Sequence, residues 1–200
     1  MVLQCVVVSG AVVYNVDSRY TVDLPEGFRQ VGENEFVADD ESEFSVSFED
    51  NTEEQLCIAD MSDKDINTYI EDMKATGNAA FEEYAVNGSV EILSAEKIKH
   101  SNGQYALDIR LQSQYTSDGE TIVRYHKILG FSCVENKITF VYTVADEDDL
   151  NNLDGAFDSI VINEKKVESK LDKITTVAFY AGIFVVMVLV VILFVKRRIK

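Results

Sequence analysis

The sequence predicts an α+β domain in which helices cover an antiparallel sheet, followed by one C-terminal transmembrane helix. Three observations carry that expectation. Tyr105, Leu107, Ile109 and Leu111 alternate with Ala106, Asp108, Arg110 and Gln112, the period of two of a strand with one buried face. Ile66, Tyr69, Ile70 and Met73 stand at i, i+3, i+4 and i+7, a single apolar stripe of a helix that must bury against something. Residues 174–195 read ITTVAFYAGIFVVMVLVVILFV, 22 residues without a charge. About 20 helical residues span the hydrocarbon core of a bilayer.

Along the chain, residues 1–17 read two ways. They are a truncated export signal if the true start lies upstream of Met1, since an apolar stretch is present without the basic residues that should precede it. Otherwise they hold a short strand from Leu3 to Val13. Residues 18–164 form the acidic domain. It opens with Tyr20, Val22 and Leu24 in alternation, stopped by Pro25 and Gly27. EFVA, EFSVSFE and EQLCIADM follow as three more candidate strands of a meander, with Phe44, Val46 and Phe48 on one face.

A helix is predicted from Ser62, which stands three residues before Asp65 as in a capping box, and Gly77 supplies a stop signal. AAFEEYAV is read as a short second helix or an irregular return. Three tight turns, HSNG, SDGE and ENK, then join long strands beginning at Ser89, Gln104, Thr121 and Ile138, each with one apolar and one mixed face. Finally DEDDLNNLDGAFDSIVIN reads as an acid-started helix, with Leu150, Leu153 and Phe157 at helical spacing, running into a strand at 160–162. A charged linker, 165–173, leads to the expected span.

The membrane anchor is predicted to run from Ile174 through Phe184 to Val195, with the lipid bilayer as a partner. Lys196, Arg197, Arg198 and Lys200 after the span have no acid among them. Lys165, Lys166, Lys170 and Lys173 before it are interleaved with Glu164, Glu168 and Asp172. The uninterrupted basic cluster points to a cytoplasmic tail, 196–200, and places the acidic domain outside the cell membrane. The rival is a cytoplasmic tail-anchored adaptor.

The net charge is −17, and six basic residues against one acid from Lys170 onward leave −22 on residues 1–169. So acidic a body repels phosphate backbones, which excludes nucleic acid as a partner. Cys5, Cys57 and Cys133 are too few and too scattered for a zinc site or a disulfide framework. Cys57 and Cys133 lie in apolar stretches, as small buried hydrophobes do, and one bridge between them is left open.

His100 in a turn and His126 beside Arg124 in a strand lack any companion that would make a catalytic base, and no catalytic or nucleotide motif occurs. No cofactor is expected. The acidic stretches 38–43, 49–54 and 146–155 invite weak Ca²⁺ binding. The last fails the EF-hand spacing, with Leu153 at the fifth ligand place and Asp154 where glycine is required.

Three segments, YTVDLPEGF at 20–28, NGQYALDIRLQ at 102–112 and LDGAFDSIVIN at 153–163, resemble the PsbP-like superfamily of α-β-α sandwiches. The resemblance implies a binding or accessory domain and carries over no functional residue. The expected function is a membrane-anchored, extracytoplasmic, non-catalytic binding or scaffolding domain for an unknown protein or envelope ligand. A cell-envelope hydrolase built on scattered carboxylates is the alternative.

Overall fold

The computed structural model describes residues 6–8, 11–16, 19–52, 56–83, 87–117 and 119–170. The chain divides into two compact units, Met1–Val167 and Glu168–Lys200, and the strands and helices of the fold belong to the first.

Alternation builds most of it. Strands β1 (Val6–Val8), β2 (Ala11–Val16) and β3 (Tyr20–Pro25) pair antiparallel in succession, and β11 (Val161–Ile162) returns to the free side of β3. The larger sheet uses β4 (Arg29–Gln30), β5 (Glu35–Val37), β6 (Glu43–Asp50), β7 (Gly88–Lys99), β8 (Tyr105–Ser117), β9 (Glu120–Ser132) and β10 (Asn136–Val144). Its order is β4-β5-β6-β10-β9-β8-β7. Between β6 and β7 lie a 3-10 turn, Ile58–Asp60, and helix α1, Asp63–Glu83. Between β10 and β11 lie a second 3-10 turn, Glu147–Asn151, and helix α2, Asp154–Asp158.

One face of the large sheet meets the small one. Tyr20, Val22 and Leu24 of β3 pack with Phe44, Leu129 and Phe140, and Leu150, Leu153 and Phe157 close the same core from the second turn and α2. Each such side chain contributes roughly 1.5–3 kcal/mol by leaving water. On the opposite face Ile58, Met61 and Ile66 pack on Leu107 and Ile109.

The expected α-β-α sandwich is therefore corrected. The fold is mostly β, with two α-helices among the described residues, and one layer is a second sheet where a helix was expected. The reason is local. Residues 146–162 yield only five α-helical residues, because Asp146 accepts from the Asp148 amide and starts a 3-10 turn instead of a long helix. Opposite them, β3 gains β2 on one side and β11 on the other, and that sheet supplies the cover.

EQLCIADM is likewise not a strand where it is described. Ile58 and Met61, three apart, bury together across the 3-10 turn. Helix α1 does start at the capping box, where Ser62 Oγ and its amide donate to Asp65 Oδ2 at 2.7 and 2.8 Å. It then runs through Gly77 to Glu83. A Cβ at Gly77 would lie 2.8 Å from Val90 Cγ2, so the glycine serves close approach of helix to strand and not a C-terminal stop.

The single-pass membrane placement is also corrected. Among the described residues no helix is long and apolar enough to cross a membrane; α1, the long one, carries charge throughout. The anchor Ile174, Phe184 and Val195 and the basic residues Lys196, Arg197, Arg198 and Lys200 lie outside the described residues.

Candidate functional site

A concavity lies on the α1 side of the large sheet, and the strand register explains it. Leu107, Gly130 and Thr139 stand opposite one another on β8, β9 and β10, so the middle of that row has no side chain. On one side of that row Ile109 stands beside Ile128, and on the other Ser132 stands beside Lys137. Helix α1 lies along β7 at the sheet's edge. Tyr69 and Met73 reach from it over the missing side chain, and Leu56 and Ile58 close the remaining wall. The result is a small pocket open to solvent, apolar over most of its lining.

Its polar groups gather in one corner. Ser132 is 9% exposed, and its Oγ finds no hydrogen-bond partner among the described residues. Lys137 Nζ lies 3.5 Å from Glu49 Oε1. Burial pushes the Tyr69 phenol above its ordinary value, with Glu49 adding to the rise and Lys137 opposing it, so all three groups meet at the rim. A Cβ built at Gly130 would meet nothing nearer than Leu107 O at 4.0 Å. Alternation alone does not single out Gly130, although a lone glycine inside the strand ILGFSC marks a place where something approaches the sheet closely.

The histidines occupy structural positions. His100 is buried, donates from Nε2 to Phe157 O at 2.8 Å and accepts at Nδ1 from the Asn102 amide at 3.2 Å, which ties the 100–103 turn to α2. His126 joins Ser113 Oγ at 2.8 Å through Nε2 and Thr143 Oγ1 at 2.9 Å through Nδ1, a polar row across three strands. The arrangement resembles a serine–histidine relay, but its third member is a hydroxyl. Burial, with Arg124 nearby, holds the His126 ring down to about 4, so it is a weak base at neutral pH.

The carboxylates are engaged in local structure. Asp40 accepts from the Ser42 amide and hydroxyl, Asp50 from those of Thr52, and Asp146 from the Asp148 amide. These bonds hold Asp40 and Asp50 below the ordinary carboxylate range. Among the described residues no group of three or more His, Cys, Asp or Glu is placed to hold a metal. Asp108 and Asp154 come together around the buried Lys127, whose ammonium donates to Asp154 Oδ1 and sits 4.9 Å over the Phe157 ring. Neither acid lines the pocket. Cys57 and Cys133 are both free thiols, and burial pushes Cys133 up to about 12. In comparison with known proteins, the chain matches no family model and no curated protein.

Proposed function

We propose that this domain is a non-catalytic binding module, and that its ligand is a small, largely apolar molecule seated between α1 and the large sheet. The observation that carries this reading is the pocket over Gly130, where a strand residue without a side chain leaves the apolar floor open. The serine, lysine and threonine that share the pocket are donors suited to orienting a ligand. The resemblance to the PsbP-like superfamily at 20–28, 102–112 and 153–163 implies a binding or accessory role and supports the same class of function, without the α-β-α architecture that came with it.

The test is a fluorescence titration with 1-anilinonaphthalene-8-sulfonate, an apolar probe, against the wild-type chain and Gly130→Val. A Cβ at this position meets nothing nearer than Leu107 O at 4.0 Å, and β-branched residues suit strands. Saturable binding by the wild type, lost in a Gly130→Val protein with unchanged melting, supports the reading. Equal binding by both proteins, or none by either, overturns it.

A further inference from the structure

We infer that Asn87 is a site of spontaneous covalent modification, in which the Gly88 backbone nitrogen attacks the Asn87 side-chain amide and the resulting succinimide opens to aspartate or isoaspartate. The chain carries two Asn-Gly pairs, Asn87-Gly88 at the start of β7 and Asn102-Gly103 in the turn between β7 and β8. The fold treats them oppositely.

The chemistry open to both pairs is the same. The glycine nitrogen bonds to Cγ of the asparagine, the Cγ–Nδ2 bond breaks, and ammonia leaves with the proton that the glycine amide gives up. Water then opens the ring at either carbonyl, which leaves Asp or an isomer whose main chain runs through Cβ and Cγ. Glycine in second place favours closure because it has no side chain to crowd the approaching amide. A glycine N–H held in a hydrogen bond, or an asparagine side chain held elsewhere, resists it.

Asn102 has both restraints. The Gly103 amide donates to His100 O at 2.9 Å, and Asn102 Oδ1 accepts from the Gln104 amide at 2.9 Å. The Asn102 amide donates to His100 Nδ1 at 3.2 Å, and His100 is itself buried and fixed on Phe157 O. Ring closure there has to dismantle the turn.

Asn87 has neither. The Thr116 amide donates to Asn87 O at 2.9 Å, which makes 87 and 116 a bonded pair of the ladder. Gly88, next along and opposite Tyr115, therefore turns its amide away from β8. Val90 turns the same way and gives its amide to Asn78 Oδ1 at 2.8 Å, whereas the Gly88 amide has no acceptor among the described residues. Asn87 is exposed, and its side chain makes no hydrogen bond to the described chain. Attacking nitrogen and target carbon are both open, on the last strand of the sheet. The place also matters for packing. A Cβ at Gly88 would lie 2.7 Å from the Phe81 ring, and that ring stacks on Tyr115 at 6.1 Å, so an added main-chain carbon enters where α1 comes closest to β7.

The test compares the wild-type chain folded and in urea, both kept in mildly alkaline buffer and sampled by peptide mass spectrometry, with electron-transfer fragmentation to identify isoaspartate. Each pair lies on its own tryptic peptide. In urea the two pairs should react at similar rates. In the folded chain Asn87 should keep most of its urea rate, while Asn102 should fall below its own by about tenfold or more, the worth of two hydrogen bonds that must open first. Equal rates at the two pairs in the folded chain, or a faster reaction at Asn102, would overturn the inference. Asn87→Gln, whose closure needs a larger ring, should remove the fast product; a fast deamidation that persists in that variant places the reaction elsewhere and overturns the assignment.

Discussion

Asn51 shows how much a single buried amide can organise. It is 0% exposed; its Nδ2 donates to Cys133 O at 2.7 Å, its Oδ1 accepts from the Leu56 amide at 3.0 Å, and its own amide donates to Glu135 O at 2.9 Å. The end of β6, the turn before β10 and the start of the pocket wall are thereby fastened to one side chain. Asn51→Ala strands a buried carbonyl and a buried amide, and a loss of about 3 kcal/mol in urea unfolding is expected. Tyr20 gives the opposite case. Its hydroxyl is buried with no partner among the described residues, and its ring packs edge-on to Phe140 at 5.2 Å. Tyr20→Phe keeps the ring and removes the stranded hydroxyl, so stability should hold or rise by up to about 1 kcal/mol, measured the same way. Neither role could be read from the sequence. Asn51 sits in an acidic, turn-rich stretch that reads as solvated loop, and the carbonyl that its side chain reaches lies 82 residues away.

At the scale of elements, the long strands were legible because alternation runs through most of their length, broken in β7 by a register shift between Ile92 and Ser94, and two of their turns carry the glycines that positive φ demands, Gly103 and Gly119 both at +83°. The start of α1 was legible for a similar reason, since a reciprocal cap is a local signal. Its end was not. Gly77 has the residue type of a stop signal, but its use is tertiary: the helix continues because β7 approaches so closely that a Cβ would meet Val90. Gly77→Val should therefore lower the melting temperature by the equivalent of about 2 kcal/mol through overpacking against Val90. The double variant Gly77→Val with Val90→Ala should recover most of that loss. Residues 146–162 misled in a different way. Their apolar spacing fits both a long helix and a 3-10 turn followed by a short helix, and the Asp146 cap decides between the two.

Across the whole molecule, fold class escaped the sequence because the second layer is assembled from strands far apart in the chain, with Val161 of β11 pairing to Thr21 of β3 from the other end of the domain. Alternation tells which residues face inward and says nothing of what they face. The candidate site escaped for the same reason: Gly130, Ser132, Lys137 and Tyr69 become neighbours only once β9, β10 and α1 are in place.

Acid response is also a property of the assembled sheet. His126 titrates at about 4 in the folded chain against an ordinary 6.5, so between those values the unfolded chain binds more protons. This contribution to stability is whole above pH 6.5 and is lost as pH falls toward 4, by about 3 kcal/mol. His126→Gln, which can still bridge Ser113 and Thr143, should lose less stability than wild type as the solution is taken from neutral pH down toward the folded-state value. Parallel unfolding free energies for the two proteins over that range would contradict the assignment.

The most direct measurement is the position of a bound apolar probe, read from intermolecular nuclear Overhauser effects to methyl groups. Effects from saturating 1-anilinonaphthalene-8-sulfonate to the Ile109, Ile128 and Met73 methyls, absent in Gly130→Val, are the expected result. Effects confined to methyls of the opposite face, such as Val22, Leu24 and Leu153, or none to Ile109 and Ile128, would contradict the placement of the ligand site over Gly130.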